Sequence, residues 1–178
     1  VPVIASIRGF CIGGGVVVAS ACDIRICSDD AVFGVPAARL GLGYEAENMA
    51  RLVSIVGRGA AMDLTATARQ IRAEEALRLG FVSRVVTPAR LDTEIEACVE
   101  AIARNAPLSV AAAKISSLAG PDAPGPGAVQ AAIDRCFDSQ DYREGRAAFR
   151  EKRAPMVRGR SADGRCDDSG GAHVTPLR

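Results

Sequence analysis

The residues with the clearest chemical potential are Gly13, Gly14 and Gly15, set between an apolar strand pattern (Val1 to Ile7) and a compact apolar segment. Gly9-Phe10-Cys11-Ile12 precedes them, and Ala21-Cys22-Asp23-Ile24-Arg25 closes the stretch. Consecutive glycines leave backbone N–H groups unshielded by any Cβ, so a ligand oxygen can approach the main chain closely. If the segment after them is a helix, its first N–H groups lack intrahelical acceptors and its positive dipole end faces the same oxygen. Such a turn can bind an oxyanion, stabilising negative charge as it develops on a carbonyl oxygen. The G-x-G-x-x-G spacing is not met, so the glycines do not form a dinucleotide fingerprint.

Composition narrows the other chemistries. The single histidine, His173, lies in a polar tail and reads as a solvated residue. No Ser-His or Cys-His nucleophile pair is therefore expected. Six cysteines (Cys11, Cys22, Cys27, Cys98, Cys136, Cys166) include no C-x-x-C pair, and with one histidine a zinc site is not expected. Several sit in apolar runs, where a reduced thiol is a small hydrophobe; this suggests a reducing, cytoplasmic compartment. With 22 basic against 21 acidic residues the net charge is +1. No global field selects nucleic acid or an anionic membrane. The sequence shows no run long enough to cross a bilayer and no signal-peptide pattern.

The elements that must position the glycine turn follow from periodicity. At 178 residues, 48% hydrophobic and 24% charged, the chain has globular composition and can bury a core. Pro2 to Arg8 has strand alternation. Val16 to Cys22 is open between strand, which its valines favour, and a buried helix. Strands are expected over Asp23 to Cys27 and Ala31 to Gly34, joined by Ser28-Asp29-Asp30, then an irregular loop from Pro36 to Tyr44. Helices are expected over Glu45 to Val56, Gly59 to Thr67 and Ala73 to Leu79, the last closed by Gly80, before a strand from Phe81 to Val86. Pro88 and Pro107 open two further helices, and two more span Ala128 to Phe137 and Asp141 to Arg153, beyond a Gly120 to Gly127 connector. After Gly159 the composition turns polar and glycine-rich, predicting a disordered tail. The chain opens on Val1 inside a strand pattern, from which a further N-terminal portion is expected. The fold class is α/β with a helical C-terminal extension.

In this register the chain resembles the crotonase (enoyl-CoA hydratase/isomerase) superfamily. The match runs through Pro2-Val3-Ile4-Ala5, the Gly9 to Gly15 stretch, Cys22-Asp23-Ile24-Arg25, Phe33-Gly34-Val35-Pro36, Leu40-Gly41, Ala73-Glu74-Glu75-Ala76 and Gly80-Phe81-Val82. It finishes at Asp138-Ser139-Gln140-Asp141-Tyr142-Arg143-Glu144-Gly145 and Glu151-Lys152-Arg153-Ala154-Pro155. The resemblance implies a spiral of ββα units over residues 1–87, a helical trimerisation region over 88–158, and a tail over 159–178. It implies an acyl-CoA thioester substrate, no separate cofactor or metal, a homotrimer or hexamer, and a place in fatty acid metabolism. It also implies a thioester oxygen held by two backbone N–H groups: one matches Gly14, and the other belongs to a segment upstream of Val1.

The departures from the family pattern bear on the reaction. Typical hydratases of the family carry two glutamates that handle the water and the α-proton; in register these fall at Val17 and Ala37. Neither side chain can transfer a proton. Methylmalonyl-CoA decarboxylase-like members place a tyrosine after Leu-Gly-x-x, and Tyr44 falls there. Decarboxylation needs no base, because departing CO₂ leaves the enolate directly; Tyr44 could orient the carboxylate or protonate the enolate, or be simply an amphipathic residue at the rim of a core. Glu45 and Glu47 read most simply as charges in a helix's first turn, with a displaced catalytic carboxylate as the other reading. Asp23 reads as a structural hydrogen-bonding residue. Lys152, in the family's Phe-x-Glu-Lys-Arg segment, is implied to lie near the CoA phosphates, although Lys152 and Arg153 also fit a solvated face. Phe137 and Phe149, at helical spacings, are expected in the core, with part of an adenine or acyl pocket as the other reading. A non-catalytic acyl-CoA-binding relative, a truncated inactive product, and a classical hydratase with displaced acid and base stay open as alternatives.

Overall fold

The computed structural model describes residues 1–118, 122–125 and 127–160, and the backbone of 173–176. The chain divides into two compact units, one mainly Val3–Glu96 and the other built from residues 97–118 and 122–160.

In the first unit, strands β1 (Val3–Ile7) and β2 (Phe10–Ile12) lead into helix α1 (Gly14–Ala21). Strands β3 (Ile24–Ser28) and β4 (Val32–Gly34) then lead through a 3₁₀ turn (Pro36–Leu40) into helix α2 (Ala46–Thr67). This is the ββα unit repeated. The first strand of each repeat joins one sheet, β1 parallel to β3, and the second strand joins another, β2 parallel to β4. Parallel strands need crossovers, and the helices supply them. Strand β5 (Gln70–Arg72), helix α3 (Ala73–Arg78) and strand β6 (Arg84–Val86) follow, β5 antiparallel to β4 and β6 parallel to β3.

Val16–Cys22 resolves as helix despite its valines. Val16 and Ala19, one helical turn apart, are both buried, and that shared face decides between the two conformations. Asp23 locks the return to β3: its carboxylate accepts Val3 N–H at 2.6 Å, and its own N–H donates to Val3 O at 2.9 Å. The two helices expected on either side of Gly57 are both present: Gly57, at φ 78° and ψ 158°, is non-helical and breaks Ala46–Thr67 into two. Gly80 ends α3 as expected, at φ 75°, with Gly80 N–H donating to Leu77 O and Phe81 N–H to Ala76 O. That bonding pattern also drives Phe81 into the core, edge-on to Phe33 at 5.3 Å between centroids. The strand expected from Phe81 is consequently only Arg84–Val86, since Phe81 and Val82 serve the cap and the core.

The second unit takes in the end of α4 (Leu91–Ala103), which starts after a 3₁₀ turn at Pro88–Arg90, and helices α5 (Pro107–Ser117), α6 (Ala128–Phe137) and α7 (Gln140–Glu151). Ser139 caps α7, its side chain accepting Tyr142 N–H. Leu108, Ala112, Ala132 and Ala148 are the buried apolar positions of α5 to α7. Phe137 and Phe149 depart from expectation: they are 57% and 85% exposed. The helical period gives the buried stripe of α7 to Asp141 and Ala148 and turns Phe149 away from it.

The Gly120 to Gly127 connector and the tail beyond Gly159 fall partly outside the described residues. Within that tail, His173–Pro176 forms strand β7 beside β1, giving the sheet order β6-β3-β1-β7. The edge of β1 away from β3 offers the backbone groups for that pairing.

Candidate active site

Parallel pairing of β2 with β4 puts Ile12 opposite Gly34, so the segments following both strands leave the sheet at one end. Gly13 N–H donates to Gly34 O at 2.9 Å and is the last amide of that ladder. Gly13 then turns at φ 56° and ψ −109°, and α1 starts at Gly14. The first intrahelical bond runs from Val17 N–H to Gly13 O. Gly14 N–H has no acceptor among the described residues, which is the ordinary state of a helix's first donors. A Cβ placed on Gly14 would meet nothing within 4 Å. The amide is therefore free of the sheet, open, and at the positive end of the helix.

A β-carbon at Gly13 would lie 3.9 Å from Pro36 Cδ, so the glycine turn abuts the start of the Pro36–Leu40 turn. Ala37 is buried in the core and Val17 is half-buried. Beyond Ala37 the chain folds back, with Leu42 N–H donating to Ala37 O at 2.9 Å and Gly41 at φ 68°. Tyr44 follows two residues later, half-buried against the core. Its hydroxyl has no partner among the described residues, and burial pushes the phenol above its ordinary value. Glu45 stands at the N-cap position of α2, bonded to Asn48 Nδ2, and Glu47 lies exposed in the first turn. Both fit the helix-terminus reading. Cys11 lies on β2 ahead of the turn, but burial, with a smaller contribution from Cys22, raises its thiol to about 11. It is not a thiolate nucleophile at neutral pH.

Gly14, Val17, Ala37 and Tyr44 thus belong to one unit, and Lys152 to the other. Lys152 is exposed and ends α7 in the left-handed conformation, φ 53°.

Sequence reading missed the role of Arg25. Its guanidinium donates to Phe81 O at 2.5 Å, Cys22 O at 2.6 Å and Ala19 O at 3.3 Å, and lies 5.7 Å from the centre of the Phe81 ring. It holds the last carbonyls of α1, the helix whose other end presents Gly14. The signal was present: a lone arginine between Ile24 and Ile26 in an otherwise apolar strand.

Comparison with known proteins assigns the class. The pattern of the enoyl-CoA hydratase/isomerase family matches residues 1–160, and the chain belongs to that family. It is 39% identical over 155 residues to the short-chain-enoyl-CoA hydratase of Clostridium acetobutylicum, covering 85% of this chain and 59% of that relative. It is 38% identical over 163 residues to the crotonyl-CoA hydratase of Syntrophomonas wolfei, covering 85% and 60%. The crystal structure of enoyl-CoA hydratase from Bacillus anthracis superimposes with a TM-score of 0.75 at 34% identity, over 89% of this chain and 62% of that one. The chain thus spans about three fifths of the length of these relatives. The repeated ββα units are the architecture of this family. No helix among the described residues is long and apolar enough to cross a membrane.

Proposed function

We propose that this protein binds an acyl-CoA thioester, stabilises its enolate through Gly14 N–H, and catalyses a non-classical, decarboxylase-like reaction. The observation that carries the reading is the open Gly14 amide at the start of α1, without an acceptor among the described residues; the resemblance supports it by implying that the hydratase glutamates fall, in register, at Val17 and Ala37. Family membership supports the acyl-CoA substrate. With an acyl-CoA bearing a carboxylate on its α-carbon, the bond to that carboxylate breaks and CO₂ leaves. The electron pair passes into the enolate, whose oxygen carries the charge that the amide receives. A proton then adds to the α-carbon. Tyr44 supplies it and regains one from solvent; its raised phenol pKa keeps the proton in place at neutral pH. A homotrimer or hexamer in a reducing, cytoplasmic compartment belongs to the same proposal, supported by the exposed Phe137 and Phe149 and the free thiols.

The test compares CO₂ release from methylmalonyl-CoA with hydration of crotonyl-CoA. Decarboxylation without appreciable hydration is expected, and Tyr44→Phe should slow it by about 10²-fold or more, the scale of a lost general acid. The protonated phenol is the active form. Because burial raises its pKa, the rate should hold through neutral pH and fall only at alkaline pH, above the ordinary phenol range. Robust crotonyl-CoA hydration, or a Tyr44→Phe variant that releases CO₂ at the parent rate, would overturn the reading.

A further inference from the structure

The helical unit carries a feature that the acyl-CoA reading does not use. A cavity of about 440 Å³ lies along α7, and Arg143, Arg158 and Arg160 converge on it. The frame is fixed by the backbone. Asp141 is 5% exposed, and its carboxylate accepts Arg158 N–H at 2.8 Å and Gly159 N–H at 2.7 Å. Gln140 N–H donates to Arg160 O at 3.1 Å. Gly159, at φ 67°, packs so closely on Pro107 that an added Cβ would lie 3.2 Å from Cγ. The Arg158-Gly159-Arg160 turn is therefore pinned to the first turn of α7, with Arg143 following on the same helix.

The acidic groups lining this cavity are already engaged. Glu144 is bonded to both terminal nitrogens of Arg153, at 2.5 and 3.0 Å, and accepts Met156 N–H at 2.9 Å. The Arg153 contact, then the Met156 amide, hold its carboxyl down at about 2. Both oxygens of Asp141 are occupied by backbone amides. By contrast, Arg160 Nε is buried with no hydrogen-bond partner, and the guanidinium groups of Arg143 and Arg158 have none among the described residues. A buried donor without an acceptor is costly and uncommon in folded proteins. Guanidinium forks match the oxygens of a tetrahedral dianion.

From this convergence on one cavity of three guanidinium groups without a partner among the described residues we infer a binding site for a phosphate dianion, either free phosphate or a small phosphate monoester. The site is independent of the Gly14 chemistry, and a bound anion would tie the Arg158–Arg160 turn to α7.

The test is isothermal titration of the protein with inorganic phosphate, and in a second arm with glycerol phosphate, at ionic strength held constant with chloride. Saturable binding of one anion per chain is expected, weakened at least about tenfold by Arg160→Gln or by Arg143→Gln, since a charge-assisted contact is at stake. Arg143 is exposed on α7, so its variant carries the test should Arg160→Gln fail to fold. Tighter binding of glycerol phosphate supports a monoester, and tighter binding of inorganic phosphate supports the free ion. Saturating coenzyme A should leave phosphate binding unchanged. Heats that never saturate, binding indifferent to both variants, or phosphate displaced mole for mole by coenzyme A would each overturn a separate site.

Discussion

Gly14→Pro is expected to lower turnover of the acyl-CoA substrate by about 10²–10³-fold, the loss typical of removing one oxyanion donor, while leaving the fold intact. Proline removes the N–H and nothing else that this position needs. Gly14 is the first residue of α1, where proline is the favoured substitution because the missing N–H bonds nothing within the helix. The added ring has room, since a Cβ there meets no atom within 4 Å. Gly13, at ψ −109°, is already outside the helical region that a following proline disfavours. Gly14→Ala is the matched control: it keeps the N–H and should retain most of the rate. Equal rates for Gly14→Pro and its parent, with both variants folded, would remove the amide from the mechanism.

Arg25→Ala is expected to destabilise the protein by about 3 kcal/mol, lowering its melting temperature by roughly 10–20 °C for a unit of this size. The guanidinium serves Phe81 O, Cys22 O and Ala19 O together, and truncation leaves those carbonyls facing a void. Burial lowers the pKa of Arg25, with Cys22 and then Asp23 acting against that shift; it starts so high that the group stays charged. Arg25→Lys should recover only part of the stability, because one ammonium cannot reproduce the planar fork. A melting temperature for Arg25→Ala within about 2 °C of the parent would show that these bonds are replaceable by water.

How much of this was legible in the sequence depended on whether the deciding interaction was local. The Gly13 to Gly15 turn, the Gly80 cap and the helices opened by Pro88 and Pro107 were readable because each rests on one residue's backbone restriction. Strands β2 and β5 were not. Each has three residues and no alternation to detect, and each exists because β4 lies between them, a pairing made across the chain. Val16 to Cys22 was ambiguous for the same reason: valine propensity favours a strand, and only the buried Val16 and Ala19 face favours a helix. Phe137 and Phe149 were placed inside on hydrophobicity alone, whereas the period of α7 turns Phe149 outward.

The candidate site divides along the same line. The Gly13 to Gly15 turn was found by backbone chemistry, a local statement, and the family resemblance singled out Gly14 within it. That Gly13 alone joins the ladder, leaving Gly14 free, needed the β2–β4 register. Arg25 is the converse case. Its partners lie at Ala19, Cys22 and Phe81, the last 56 residues away, so its position was visible and its role was not.

The most direct test of the oxyanion role is the carbonyl stretch of an isotope-labelled acyl-CoA thioester bound to the protein. A hydrogen bond from the Gly14 amide, aided by the α1 dipole, polarises the C=O bond. The stretch should fall to lower frequency than in water and return toward the solution value in Gly14→Pro. A bound carbonyl with the same frequency in parent and Gly14→Pro would contradict the account.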